Sequence, residues 1–299
     1  MGNGGSAGNA QAADPEEYKK REYEFTARDF EQVRKLIYEH AGISLSANKQ
    51  DMVYSRLSRR LREKGLTRFC DYLQILETAD KAEWQAFTNS LTTNLTSFYR
   101  EAHHFPILGE HLAQRWRASR APLTVWCCAA STGEEPYTIA ITAIEALKDD
   151  AANVRILATD LDTNVLAKAD AGVYDMERIE AIAPERAKRF FLRGSGGNAG
   201  SVKVRPELRK LITFRQQNLL DAKWPIRGPF DVIMCRNVMI YFDKDTQRQI
   251  LEKFAPLLKS DGLLFAGHSE SFFHSAHLFK LRGKTIYELA AKGQGPHGR

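Results

Sequence analysis

Apolar positions along the first third of the chain recur at helical spacing. In ARDFEQVRKLIYEHAG, Phe30, Val33, Ile37 and Ala41 fall on one side of a helix, and Gly42 supplies a stop. In KQDMVYSRLSRRLREKG, Met52, Val53, Leu57 and Leu61 share a face, while Arg56, Arg60 and Lys64 line another at i, i+4 spacing. The pattern predicts a small helical domain over residues 21–91. From Leu123 onward short apolar runs, LTVWCCAA, VRILATD, LITFRQQN, FDVIMCRN and GLLFAGHSE, alternate with helical stretches, which predicts βαβ units and a mostly parallel sheet. FKLRGKTIYELA carries two alternating runs about a Gly-Lys turn and predicts an antiparallel hairpin at the sheet edge. Between Asp160 and Leu211 lies more chain than one crossover helix needs. There FFLRGSGGNAGSVKVRPELRKLITF places a Gly-rich turn ahead of SVKV, predicting a small antiparallel β-subdomain inserted over about residues 173–210 of a second domain, 92–299.

Open α/β sheets bind ligands at the carboxyl ends of their strands, where Ser131, Asp160, Asn218, Asn237 and His268 fall. In VWCCAASTGEEPYTIA the small residues Ala129 to Gly133 allow a ligand close to the backbone. With no Lys after the Gly, a phosphate-cradling loop is excluded. Glu134 and Glu135 would repel a pyrophosphate and suit a ligand carrying positive charge, such as the sulfonium and ammonium of S-adenosylmethionine. Asp160, ending ILATD, is placed to accept from two ribose hydroxyls. The alternative, that the two glutamates only complement a helix dipole, stays open from these residues alone. A doubly wound sheet closed by an antiparallel hairpin is the usual Rossmann-like architecture of S-adenosylmethionine-dependent methyltransferases, an analogy of fold.

Composition narrows the setting. At 299 residues, 43% hydrophobic and 27% charged, the chain can bury one full core and a second small one. No apolar stretch approaches the roughly 20 residues needed to span a bilayer. Residues 1–20 lack the apolar core of a signal peptide and read as a disordered leader, although MGNGGS also fits a myristoylation pattern. A cytoplasmic protein without membrane insertion is expected. Cys70, Cys127, Cys128 and Cys235 have no zinc or redox spacing and are expected as free, buried thiols. His103, His104 and His268 lack a partner set for a metal, so none is expected. A net charge of +6 admits nucleic acid, an anionic membrane or an acidic protein as partner. RNVMIYF is not the Asn/Asp-Pro-Pro-Tyr/Phe type that holds a flipped base, and no aromatic-rich basic stripe is evident, so nucleic acid is not expected.

Six blocks in order, NLTSFYREAHHFPIL, AASTGEEPYTIAI, ATDLDTNVLAKADAGVY, QQNLL, CRNVMIYFD and LLFAGHSESF, closely resemble the CheR family of chemotaxis receptor protein-glutamate O-methyltransferases, from the N-terminal helices almost to the C-terminus. The resemblance implies methyl transfer from S-adenosylmethionine to glutamate side chains on the cytoplasmic domains of methyl-accepting receptors, leaving S-adenosylhomocysteine. It puts cofactor contacts on Asn94, Thr96, Arg100, Glu135, Asp160, Asn218, Leu219, Arg236 and Asn237. Arg100 and Tyr241 become the residues nearest the transferred methyl. The bland alternatives are an Arg100 paired with Glu101 and a Tyr241 that is a core aromatic. The intact turn GSGG resembles members that dock on a peptide at the receptor's C-terminal tail through the inserted subdomain. Arg56, Arg59, Arg60, Arg62 and Lys64 would form a cationic face steering toward acidic receptor helices, against the alternative of a solvated helix face.

Overall fold

The computed structural model describes residues 21–78 and 81–290; the expected leader lies outside them. Helix α1 (Ala27–Ala41) begins on a capping box: the Asp29 amide donates to the Thr26 hydroxyl oxygen at 3.1 Å, and the Thr26 amide donates to the Asp29 carboxylate at 2.9 Å. It ends at Gly42, whose φ of 67° is left-handed and whose amide caps the Tyr38 carbonyl. Helices α2 (Gln50–Lys64), α3 (Phe69–Thr78) and α4 (Lys81–Leu91) complete the helical domain. The stripe read from the sequence is its core: Phe30, Val33, Ile37 and Ala41 meet Val53, Leu57 and Leu61, with Phe69, Leu73 and Phe87 closing the far side. Met52 is only partly buried.

Part of the cationic face of α2 is turned inward, while Arg59 and Arg62 stay exposed. Arg60 and Lys64 reach the buried Glu83 of α4 at 2.8 and 2.7 Å, Arg59 pairs with Glu63 at 3.1 Å and Arg62 with Glu22 at 3.1 Å. Arg56 donates to the Leu91 and Thr92 carbonyls at 3.1 and 2.7 Å. A carboxylate on the face of α4 that packs on α2 needs cations, and this stripe supplies them.

Helix α5 (His104–Ser119) leads into β1 (Leu123–Cys127), α6 (Glu134–Leu147), β2 (Val154–Asp160) and α7 (Thr163–Ala171). The insertion follows as β3 (Val173–Asp175), α8 (Pro184–Phe190), β4 (Phe191–Arg193), β5 (Ser201–Val204) and α9 (Pro206–Arg209). Then come β6 (Ile212–Gln216), β7 (Phe230–Cys235), α10 (Lys244–Phe254), β8 (Leu258–Ala266) and the hairpin β9 (Phe279–Gly283) with β10 (Ile286–Leu289). The main sheet runs β6-β2-β1-β7-β8-β10-β9; its first five strands are parallel and the hairpin is antiparallel at one edge. Every residue of β7 is buried, as a central strand covered on both faces requires. The order reverses between β1 and β7, which opens a crevice beyond their carboxyl ends.

The inserted strands form a separate antiparallel sheet, β3-β5-β4, with the Gly194–Gly200 turn joining β4 to β5. Its edges are β3 and β4, and Val173 and Leu192, both opposite Lys203, are exposed. Cys127, Cys128 and Cys235 are free and buried as expected. Cys70 is exposed instead, because it sits on α3 beside the core-facing Phe69 and turns to the solvent side.

Candidate functional site

The turn after β1 is built from small residues because the chain has no room there. Ala130 donates to the Thr159 carbonyl at 2.9 Å, and Ser131 and Gly133 take φ values of 47° and 99°. A Cβ on Gly133 would lie 2.7 Å from the Tyr174 hydroxyl and 2.9 Å from the Ala169 Cβ, so only glycine fits. The two following carboxylates part company. Glu134, fully buried, accepts from the Thr132 hydroxyl at 2.6 Å and pairs with Arg178 of the insertion. Glu135 faces a cavity and accepts from Arg236 Nη1 at 2.6 Å. Of the pair expected to draw a cationic ligand, only Glu135 is in place to do so.

This cavity, of about 280 Å³, sits over the crevice between β1 and β7 and beneath the helical domain. Asn94, Thr96 and Arg100 reach it from the segment after α4, and Glu135 and Asp160 from the ends of the first two strands. Asn218 and Leu219 line it from the segment after β6. Arg236, Asn237 and Tyr241 line it from the turn after β7. The ten residues that the resemblance singles out thus surround one space, with Ser131 beside them; His268, also at a strand end, does not line it. Ile43, Leu45 and Met52 of the helical domain form another wall, which sequence reasoning missed. The close approach depends on Gly42, where a Cβ would meet Leu220 at 2.7 Å and Phe242 at 3.1 Å. Just beyond it, the Ser44 amide donates to the Tyr241 carbonyl at 2.9 Å.

Several of these side chains are already engaged. Asn94 Nδ2 donates to Asp162 at 2.9 Å. Asp162 also accepts from the Thr92 hydroxyl at 2.8 Å while capping α7 through the Asn164 amide at 2.9 Å. Its place before TNVLAKAD marks a helix cap in the sequence; its second duty, tying the segment after α4 to the sheet domain, has no local signal. Asn218 donates to the His40 carbonyl and accepts from the Leu220 amide, both at 2.9 Å, so a ligand edge there would have to share that amide. Arg100 donates to the Leu95 carbonyl at 2.8 Å, between two residues held at left-handed φ, Tyr99 (56°) and Glu101 (54°).

Asp160 accepts from the Ser131 amide at 2.8 Å and the Asp162 amide at 3.0 Å, yet burial outweighs these bonds and pushes its pKa up to about 6. The sign follows. Its ionisation weighs against folding above that pH, and the opposition is relieved as pH falls from about 6 toward the ordinary value of 3.8. A neutral carboxyl accepts hydroxyl hydrogen bonds less well, so affinity for a ribose-bearing ligand is expected to fall on acidification through pH 6. Burial also raises the Glu135 carboxyl, which adds its own step, so Asp160→Asn isolates this one. Calorimetric titration from pH 7.5 to 5 should give a flatter profile for the variant; identical slopes would refute the assignment.

Glu101, considered in the sequence only as a partner for Arg100, ties together groups from three parts of the chain. It does not pair with Arg100. Instead it accepts from Asn237 Nδ2 at 3.1 Å and from the His268 amide and ring at 3.1 and 2.9 Å, with Arg236 Nη2 at 3.4 Å. Burial would raise its pKa, but the His268 and Asn237 donors and the Arg236 charge hold it down at about 2. Arg236 therefore lies fully buried between two carboxylates, Glu101 and Glu135. Among the described residues, Glu101, His103 and His104 bring potential metal-ligand atoms within 4.8 Å of one another. Arg236 Nη2 lies 3.4 Å from Glu101, and His104 Nε2 donates to the Lys284 carbonyl at 2.8 Å.

Two family models cover most of the chain. The family model described as the CheR methyltransferase all-alpha domain matches residues 28–92, and the CheR methyltransferase SAM binding domain matches residues 94–287. A chemotaxis protein methyltransferase of Klebsiella aerogenes is 54% identical over 261 residues, covering 87% of this chain and 89% of that protein. Chemotaxis protein methyltransferase 2 of Pseudomonas aeruginosa is 52% identical over 91% of this chain and 97% of its own length. The Escherichia coli chemotaxis protein methyltransferase is 52% identical over 87% of this chain and 90% of its own.

Proposed function

The chain belongs to the CheR methyltransferase family, and from that premise we propose that it transfers the methyl group of S-adenosylmethionine to glutamate carboxylates of chemotaxis receptors, releasing S-adenosylhomocysteine. The observation that carries this reading is the single cavity in which Glu135, Asp160 and Arg236 converge with Arg100 and Tyr241. The donor set fits the cofactor. Glu135 would answer the methionyl ammonium and Asp160 the ribose hydroxyls, with Asn218 and Leu219 beside the adenine. Arg236 Nε is buried without a hydrogen-bond partner among the described residues, a donor that the methionyl carboxylate would satisfy, next to Asn94, Thr96 and Asn237.

Little further chemistry is asked of the protein. A glutamate carboxyl, with an ordinary pKa near ~4.3, is ionised at neutral pH, so no general base is needed. The bound sulfonium supplies an electrophilic methyl that a carboxylate oxygen can attack, and opposite charges neutralise as it does. Arg100 and the Tyr241 hydroxyl orient the acceptor carboxylate, while the walls from the helical domain exclude water, so rate comes from alignment and drying. No helix among the described residues is long and apolar enough to cross a membrane. The inserted sheet adds a tether: an exposed edge, β3 or β4, takes a receptor tail peptide as an extra strand and raises the local enzyme concentration.

One assay tests the reading. Labelled S-adenosylmethionine is incubated with the protein and either total RNA or membranes bearing receptors with or without their C-terminal tails. The expected result is base-labile label on receptor protein, faster when the tail is present. Label in RNA rather than protein, or none in either fraction, would sink the receptor-methylation reading; equal rates on both receptor forms would sink the tether alone.

A further inference from the structure

The turn Gly267-His268-Ser269-Glu270 follows β8 and contributes no side chain to the cavity, yet it grips both segments that carry the reactive pair. On one side, the His268 amide and Nδ1 donate to Glu101, the residue after Arg100. On the other, the Glu270 carboxylate, only 5% exposed, accepts four backbone amides at 2.5–3.0 Å. One comes from Gly267 in its own turn. The others come from Asn237, Val238 and Met239, which lead into the short 3-10 turn Met239–Tyr241. Asn237 holds a φ of 58°, a left-handed conformation that costs about 1 kcal/mol or more unless its surroundings impose it. Contact is so close that a Cβ on Gly267 would lie 2.3 Å from Asn237 Nδ2. Amides at the start of a helical turn have no partner within it, and an ionised carboxylate is their strongest acceptor.

We propose that the Gly267–Glu270 turn is a brace that fixes Tyr241 relative to Arg100, with Glu270 as a positioning residue for methyl transfer. The proposal rests on the reading above, in which these two side chains orient the acceptor carboxylate. Glu270 touches neither ligand; its effect passes through the backbone from Asn237 to Tyr241. In Glu270→Gln the new amide nitrogen would face two backbone N–H donors, so the turn must shift, and misplacing an orienting group by an ångström lowers rate steeply.

The test is a double-mutant cycle on methylation of receptor membranes, comparing wild type, Glu270→Gln, Tyr241→Phe and the double variant. Rates are normalised to the fraction of protein that binds S-adenosylhomocysteine by calorimetry, which removes any unfolded share. Glu270→Gln is expected to lower the normalised kcat about tenfold while raising the receptor KM by less than about threefold, and to lower it less than about twofold further once Tyr241 is already Phe. A merely structural role would move the binding stoichiometry and leave the normalised kcat, or would add its full factor in both backgrounds. Either result overturns the brace. If Tyr241→Phe alone runs at the wild-type rate, the orienting role of Tyr241 fails, and the brace loses its object; if Tyr241→Phe is slow and Glu270→Gln is not, only the brace fails.

Discussion

Arg236→Ala is expected to be the most damaging single change in the site, costing about 3–5 kcal/mol of folding stability and abolishing measurable binding of S-adenosylhomocysteine. The guanidinium is fully buried. It donates to Glu135 at 2.6 Å and to the Arg100 carbonyl at 2.5 Å, lies 3.4 Å from Glu101, and sits over the Phe105 ring at 5.6 Å. Removing it leaves two carboxylates in a low-dielectric site. Glu101 keeps its bonds from His268 and Asn237, but Glu135 loses the charge that most opposes the effect of its burial, which shifts its carboxyl further up, toward the neutral form. A neutral Glu135 no longer answers an ammonium group. Arg236→Lys should recover only part of the loss, since a point charge does not span both carboxylates and the Arg100 carbonyl as the planar fork does. Urea unfolding and calorimetry check both halves. A stability loss below about 1 kcal/mol with unchanged product affinity would show that the pair is not the keystone of the site.

Much of the architecture was legible because its signals are local. The apolar runs at Val125, Ile156, Ile212, Val232 and Leu263 each became a strand of the main sheet, and the Gly-rich stretch near Gly196 became the turn of the inserted one. Gly42 announced the end of α1 through chemistry confined to one residue, whereas the equally local Thr26–Asp29 capping box at its start went unread. That ten candidate residues would share one cavity was legible for a different reason: they lie in motif blocks whose resemblance to a family carries them over, with Glu135 and Asp160 also marked by charge and strand-end position.

What stayed hidden depends on partners far away in the chain. Glu101 reads as one more charge after Arg100 until His268 arrives from 167 positions on. Glu270 looks like a surface acid in GHSESF, and only the left-handed Asn237, 33 residues earlier, makes it a ligand for backbone amides. Glu134 was read with Glu135 as a unit, and the insertion's Arg178 separated them. The arginine stripe of α2 was read as free charge because i, i+4 spacing says nothing of Glu83 on the helix packed against it. Periodicity tells which face is covered, not which ion is waiting there. The steering expected of that stripe accordingly has less unpaired charge to work with than the sequence implied.

The remaining prediction bears on turnover. Tyr241→Phe is expected to lower kcat on the order of 10²-fold with S-adenosylhomocysteine affinity nearly unchanged, and Arg100→Ala to lower kcat at least as much while also weakening receptor binding. Electrostatics alone would predict the opposite order of importance. The attacking carboxylate loses its charge on the way to the transition state, so a cation or hydroxyl beside it stabilises the ground state more than the transition state. Any benefit these groups confer must come from holding the oxygen in line with the methyl. The Tyr241 backbone is suited to that role, since its carbonyl accepts from the Ser44 amide at 2.9 Å and its turn hangs from Glu270. Arg100 is constrained as well, by its bond to the Leu95 carbonyl and by the left-handed residues on either side. Leu95 lines the same cavity and is 77% exposed, so Arg100, bonded to its carbonyl, is expected to affect docking of the receptor as well as alignment. Steady-state kinetics on receptor membranes separates the two: Tyr241→Phe should change kcat and leave KM, whereas Arg100→Ala should change both. A Tyr241→Phe enzyme with wild-type kcat would mean that the hydroxyl does not orient the acceptor, and that alignment rests on Arg100 and the shape of the cavity.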